Sequence, residues 1–186
     1  MSPMTDPIAT VRPLLRTRQI REFRPEPLAD EILHAITEAA RWTGSGRNAQ
    51  PWRFLVVRDP ARIRALHEAG LPQTRSLATA PAVIAVAMPV ADEGSEIANA
   101  YDEGRAVERM LVAATMLGVA AGIAWIRRDV ADGAREILGI PEGWTVRSLV
   151  AVGVPTEAAR APKSAPGTAR MPRDEVVFEE RWPDNP

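Results

Sequence analysis

The sequence predicts a layered domain in which helices cover a central sheet. Short β-favouring apolar runs alternate along the chain with helical stretches, the pattern of an α/β-type layered architecture. One of these runs, Pro81–Met88, contains no charge and reads as a strand covered on both faces. With 186 residues, 46% hydrophobic and 25% charged, the chain has the length and balance of one ordinary globular domain.

The elements follow in order. Ile8–Thr17 suits a short helix, after which Pro25 and Pro27 force an extended path. Asp30 and Glu31 place negative charge where a helix should start, and Ile32, Ile36, Ala39 and Ala40 recur at helical spacing up to a stop at Gly44–Gly46. Trp52–Arg58 reads as a strand through Phe54, Val56 and Val57. Pro60 then opens a helix that passes Ile63 and Leu66 towards Gly70. After the apolar strand, the longest helix is expected over Asn99–Gly118, with Val107, Met110, Leu111, Ala114 and Leu117 on its buried stripe. Ala120–Ile126 is a further strand, Val130–Leu138 a helix, and Trp144–Val154 a last strand. Pro155–Met171 has no period and should run over a surface. Val176, Val177, Phe178 and Trp182 then return apolar character, as a tail does when it docks on something, a second subunit being a reasonable candidate. The expectation is one domain over 1–186, with 155–186 as an extended arm.

Composition narrows the chemistry. Lys plus Arg number 23 and Asp plus Glu 24, a formal net charge of −1, which gives no electrostatic reason to expect nucleic acid or a membrane surface as partner. The absence of Cys excludes disulfides, thiolate catalysis and Cys-ligated metal centres. No secretory signal or spanning segment is legible, so a cytoplasmic protein is expected. Lys163 is the only Lys. Guanidinium groups suit phosphate as planar forks, but abundant Ala and Pro point to coding bias, so each Arg must be argued from its position.

Gly44-Ser45-Gly46-Arg47-Asn48-Ala49 has the G-x-G-x-x-A form of a dinucleotide fingerprint. Its context is wrong for one, since a helix precedes it and a strand follows. A loop lining a flat ligand is the functional reading. Gly44 and Gly46 would let the backbone approach a flat ligand or adopt positive φ, and Asn48 and Gln50 would offer both donors and acceptors. Pro51 would hold Gln50 extended. On residue types alone, an ordinary turn accounts for these residues equally well. Arg18 and Arg21, anchored by Phe23, could grip one phosphate, a weak signal in an Arg-rich chain. His34 and His67 lack metal-ligand spacing, and Asp102 and Glu103, adjacent on a helix, do not face each other, so no metal site or catalytic pair is expected.

Taken together, the two segments resemble the nitroreductase family, whose opening reads Arg-Arg-Ser-x-Arg-x-Phe and whose next helix ends in Ala-Pro-Ser-x-x-Asn-x-Gln-Pro-Trp. Arg18, Arg21 and Phe23 match the first pattern; Ser45, Asn48, Gln50, Pro51 and Trp52 match the second at the same spacing. Gly118–Ile126 looks like the family's flavin-lining segment ending in Trp-Ile, and Arg170-Met171-Pro172 like its C-terminal Arg-x-Pro. Thr17, Gln19, Thr43-Gly44, Arg127 and Thr168 depart from the pattern.

The resemblance implies an α+β nitroreductase-like fold, with a mostly antiparallel sheet flanked by helices and a C-terminal arm on the partner subunit. It implies a homodimer with FMN at the interface, passing hydride from NADH or NADPH through flavin N5 to a nitroaromatic, quinone or enone. The flavin would carry the chemistry, with no catalytic side chain required. The cofactor residues so implied are Arg18 and Arg170 at the phosphate, Arg21 near the ribityl chain and pyrimidine edge, and Ser45, Asn48 and Gln50 as hydrogen-bonding groups. Gln19, Trp125 and Ile126 complete the lining, and Arg75 is a further candidate, for which a solvated loop residue is the favoured reading. Two alternatives stand beside this: a specialised family reaction (flavin fragmentation, dehalogenation or dehydrogenation of a cofactor precursor), and a flavin-sequestering module without turnover.

Overall fold

The computed structural model describes residues 6–165, 168 and 170–182. Its centre is a four-stranded antiparallel sheet made of β1 (Arg53–Val57), β2 (Ala82–Pro89), β3 (Ala120–Trp125) and β4 (Trp144–Gly153), in the order β1-β2-β4-β3. β2 lies inside the sheet, and its residues Ala82 to Met88 are all buried. Its unbroken apolar run thus reflects helices on both faces, here with antiparallel neighbours.

Helices α3 (Asp30–Arg41) and α5 (Glu93–Met116) cover one face. Leu33, Ile36 and Ala40 of α3 and Val107, Met110, Leu111 and Ala114 of α5 pack there against Ile84, Val86, Val150 and Val152. The other face carries α4 (Pro60–Ala69), α6 (Ala131–Leu138) and the short α7 (Glu157–Arg160), which bury Ile63, Leu66, Ala134, Leu138 and Ala159 against Val83, Ala85, Leu149 and Ala151. This is the α+β arrangement expected.

Local details differ from expectation. The first helical stretch breaks at Val11 into α1 (Pro7–Thr10) and α2 (Arg12–Arg16). The stripe of α3 is centred on Leu33 and Ile36, with Ile32 and Ala39 only half-buried. Helix α5 begins at Glu93, six residues before Asn99, because the Asp92 carboxylate accepts from the Ser95 N–H at 2.9 Å and Glu93 and Glu96 meet the positive helix end. Leu117 lies beyond the end of α5 and is exposed. The stretch expected to run over a surface without a period contains α7, started by the Thr156 hydroxyl accepting from the Ala159 N–H at 3.2 Å.

The N-terminal segment is tied to the sheet by close backbone contact. Gln19 pairs in parallel with Ala121, and the Ile20 N–H donates to the Ala121 carbonyl at 2.9 Å. Phe23 pairs with Pro155, and the Arg24 N–H donates to the Val154 carbonyl at 2.8 Å. Two glycines make room for it. A Cβ at Gly122 would stand 1.9 Å from the Ile20 carbonyl oxygen, and one at Gly153 would meet Pro81 at 2.8 Å and Phe23 at 2.9 Å. Gly122→Ala must therefore push the segment off β3. It should destabilise the protein by about 1–3 kcal/mol, the usual cost of overpacking. Thermal melting checks this; an unchanged Tm would show that the segment is not seated as described.

Candidate active site

A groove of about 690 Å³ opens where the N-terminal segment meets α7 and the chain beyond it. Arg16, Arg18, Gln19, Arg21, Lys163 and Arg170 line it, with Glu22 the one acid among its lining residues. Two arginine motifs separated by most of the chain are thereby gathered on one concave surface. Arg18 is oriented by α7: its guanidinium donates to the Arg160 carbonyl at 2.7 Å and to the Ala161 carbonyl at 3.4 Å. The Gln19 side-chain oxygen accepts from the Ile123 N–H at 3.4 Å, along the open edge of β3. Five cations against one acid favour an anionic group in this groove.

The loop between α3 and β1 is built differently. Arg47, Asn48 and Gln50 have φ of 51°, 55° and 48°, a left-handed conformation that side chains other than glycine seldom adopt. This corrects two expectations: Gly44 and Gly46 are not the positive-φ positions, and Gln50 is not held extended by Pro51. Tertiary contacts over-determine the loop. Asp102 on α5, buried, accepts from the Gly46 N–H at 3.1 Å. The Ser45 hydroxyl accepts from the Gln50 N–H at 2.9 Å, and the Ser45 carbonyl from the Asn48 N–H at 3.0 Å. Arg109 of α5 donates to the Trp42 carbonyl at 2.7 Å. Trp52 anchors the exit of the loop in the core, stacked on Phe54 at 6.2 Å. The Asn48 and Gln50 side chains are left exposed.

One chain does not bring these two parts together. The loop precedes β1 at one edge of the sheet, level with Ala87, whereas Gln19 docks on β3 at the other edge, level with Ala82. Three strand spacings across and five residues along separate them by on the order of 20 Å.

The remaining candidates lie along or near β3. Trp125 ends the strand and is 53% exposed, whereas Ile126 is 1% exposed with its side chain in the core, leaving only its backbone to face a ligand. Arg127 pairs with Asp129 at 2.8 Å. Arg75 is exposed at the start of a 3₁₀ turn (Arg75–Thr79) that packs near β3, and it is not among the groove-lining residues.

Several site-forming residues carry no sequence signal that reveals their role. Asp102, Arg105 and Arg109 support the loop from α5, the Arg105 guanidinium lying 3.0 Å from where a Cβ on Gly44 would stand. Glu103, next to Asp102, is buried, and its Oε1 has no hydrogen-bond partner among the described residues. Burial raises its pKa above the ordinary 4.5, while hydrogen bonding to Ser148 and the charge of Arg147 act in the opposite direction.

Comparison with known proteins places these features. The profile described as the Nitroreductase family matches residues 14–77 and 66–154, more than half of the chain. A relative from Archaeoglobus fulgidus, whose name pairs NADH dehydrogenase with NAD(P)H nitroreductase, is 32% identical over 144 residues, covering 75% of this chain and 82% of the relative. A 5,6-dimethylbenzimidazole synthase from Rhodospirillum rubrum is 26% identical over 174 residues, covering 78% and 82%. Among solved structures, an FMN-dependent nitroreductase from Clostridium difficile shares the fold at a TM-score of 0.77 and 21% identity, over 91% of this chain and 98% of that one. Fold and sequence together define an α+β oxidoreductase. The chain belongs to the nitroreductase family.

The buried Glu103 gives a pH test. A carboxyl whose folded pKa is raised contributes stability fully present below its unfolded value, and this is lost as pH rises through the folded value. Glu103→Gln should therefore raise Tm relative to the parent at pH 7–8 and change it little near pH 4. Melting curves across that range check this; a Tm lowered equally at every pH would assign Glu103 a purely structural role.

Proposed function

We propose that this oxidoreductase is an FMN-dependent, NAD(P)H-using homodimer that reduces a small planar organic acceptor such as a nitroaromatic, quinone or enone. The observation that carries the reading is the groove joining Arg18, Gln19 and Arg21 to Arg170, an anion site assembled from the two ends of the chain. The solved relative named as FMN-dependent, and the relative named for NAD(P)H, point to the same cofactors.

The donor set fits FMN. Arg18 and Arg170 would hold the phosphate, and Arg21 would stand nearer the ribityl chain and pyrimidine edge, where a fixed positive charge favours an anionic ring. Ser45, Asn48 and Gln50 would supply neutral donors and acceptors to the ring or its side chain. Bound FMN would supply the redox chemistry, and the protein would supply position and electrostatics. No side chain is asked to act as nucleophile or general base.

Because the loop and the groove stand at opposite edges of one sheet, a shared site needs two protomers. A two-fold dimer that brings the loop of one protomer to the groove of the other makes two equivalent sites at once. The C-terminal arm supports this arrangement. Met171, Val176, Val177 and Trp182 are exposed in the single chain, and Phe178 meets Trp182 edge-on at 5.0 Å, apolar surface that a partner subunit would cover.

The relative named 5,6-dimethylbenzimidazole synthase favours a second reading, in which the same site serves a specialised reaction on a cofactor precursor. Steady-state assays with each nicotinamide and a panel of nitroaromatics, quinones and enones separate the two. Broad reduction supports the first reading, and FMN reduction without acceptor turnover the second. On either reading purified protein is yellow and releases FMN on denaturation. The Arg18→Ala, Arg170→Ala double variant should weaken FMN at least ~100-fold, each charge-assisted contact contributing about 1.5–3 kcal/mol. FMN titration checks this, and unchanged affinity would refute the phosphate role.

A further inference from the structure

The groove holds more positive charge than one phosphate can use. Arg18 and Arg170 are proposed above as phosphate ligands and Arg21 as a neighbour of the ring, which leaves Arg16 and Lys163 without a role. A phosphate monoester carries about −1.5 to −2 charges at neutral pH. Even with Arg170 set aside, Arg16, Arg18, Arg21 and Lys163 against the single acid Glu22 leave a net charge of +3 in the lining. Elsewhere the chain neutralises such groups. Arg58, Arg128 and Arg147, for example, are paired with carboxylates within 2.8 Å. Arg16 and Lys163 are exposed and have neither an ion-pair nor a side-chain hydrogen-bond partner among the described residues. Like charges gathered without a counter-charge repel one another, and a bound anion relieves that repulsion.

Both residues flank the Arg18 clamp. Arg18 donates to the Arg160 and Ala161 carbonyls, and Lys163 follows Ala161 by two residues, directly after Pro162. Arg16 precedes Arg18 by two residues at the end of α2, where the chain turns extended at Thr17. Along this segment the order is Arg16, Arg18, Arg21, so Arg16 stands on the side of Arg18 away from Arg21. Glu22 follows Arg21 and lies at the opposite end, and Ser164, next to Lys163, adds a hydroxyl to the lining. The surroundings of Arg18 therefore offer two further cations and a hydroxyl with no carboxylate beside them. At about 690 Å³ the groove has the size that takes a whole small-molecule ligand, far more than one phosphate fills.

We propose that Arg16 and Lys163 form a second anion subsite that binds the 2′-phosphate of NADPH, so that this enzyme uses NADPH in preference to NADH. This rests on the flavin reading. NADPH differs from NADH only by that phosphate, a monoester of the same charge as the one FMN carries. A carboxylate near the adenosine ribose selects NADH, because it accepts from the 2′-hydroxyl and repels a phosphate; basic side chains select NADPH. Arg16 supplies a planar fork and Lys163 a point charge, both of which suit a phosphate. With the ring towards Arg21 and the FMN phosphate at Arg18, a donor whose nicotinamide lies on the ring would run back along the ribityl chain and bring its adenosine end to Arg16 and Lys163. The five residues from Arg16 to Arg21 span at most about 18 Å, a length that an extended dinucleotide covers.

FMN-loaded parent is compared with Arg16→Gln, Lys163→Gln, the double variant and Lys163→Arg. For each, KM and kcat are measured with NADPH and with NADH at one fixed acceptor. The parent should have the lower KM with NADPH. The double variant should raise the NADPH-to-NADH KM ratio about 10-fold or more, the effect of losing charge-assisted contacts, and Lys163→Arg should keep the parent ratio within about 2-fold. A second readout needs no turnover. Calorimetric titration with 2′-phospho-ADP-ribose and with ADP-ribose presents the adenosine end without the nicotinamide. The parent should bind the 2′-phosphorylated probe at least ~10-fold more tightly, and the double variant should bind the two alike. Equal use of both nicotinamides by the parent, or a KM ratio unchanged in the double variant, would overturn the subsite. So would an FMN affinity that falls as far as in the Arg18→Ala, Arg170→Ala variant while both probes bind as they do to the parent, which would assign the two cations to the cofactor. If the parent takes up no FMN, the flavin reading fails, and the same two probes titrated into the flavin-free chain still decide the subsite.

Discussion

The site depends on the approach of one carbonyl to one glycine. The Ile20 carbonyl lies where a side chain on residue 122 would have to be, so only glycine lets residues 19–21 run against β3. That contact sets Gln19 beside Ala121 and holds Arg18 and Arg21 over the groove, with Phe23 buried against Gly153 as a second anchor. Arg18 in turn binds the end of α7, bringing Lys163 and Arg170 to the same groove. A backbone fit, repeated at two glycines, thereby becomes a cluster of positive charge.

The loop proposed to complete the site is held by strain and by bonds that oppose it. Three consecutive or near-consecutive side-chain-bearing residues, Arg47, Asn48 and Gln50, keep a left-handed backbone. Each costs on the order of 1–3 kcal/mol and persists only where neighbours impose it. Here the imposing groups are Asp102, Ser45 and the α5 arginines. A fold retains such a loop where its shape is used, which agrees with a ligand-facing role for the exposed Asn48 and Gln50. This loop and the arginine groove stand at opposite edges of one sheet, so under the proposed homodimer each site would be completed by two chains.

Much of this was legible in the residues themselves. Pro81–Met88, Ala120–Ile126 and Trp144–Val154 declare strands because sheet burial needs continuous apolar side chains, and the motif residues around Arg18 and Asn48 declare a family. The early start of α5 could have been found from Asp92 followed by Glu93 and Glu96, a capping pattern that the polar Gly94, Ser95 and Asn99 obscure. The backbone of Gln50 could not, because the restriction that proline places on its predecessor is overridden by contacts made 56 residues away in sequence, such as Gly46 to Asp102. The one-residue β-bulge at Arg147 in β4 is equally hidden, since it leaves no mark on a pattern of period two.

Subunit mixing tests the shared site most directly. A groove-defective chain (Arg18→Ala, Arg170→Ala) and a loop-defective chain (Asn48→Ala, Gln50→Ala) are each expected to bind FMN poorly. If each site takes its groove from one protomer and its loop from the other, unfolding and refolding an equimolar mixture restores one intact site in every mixed dimer. Full-affinity FMN should then return at about a quarter of all sites. Recovery to that level, measured by FMN titration and NAD(P)H-dependent bleaching, is the predicted result. No recovery from a mixture shown to contain mixed dimers would place groove and loop in the same protomer's site and contradict the account.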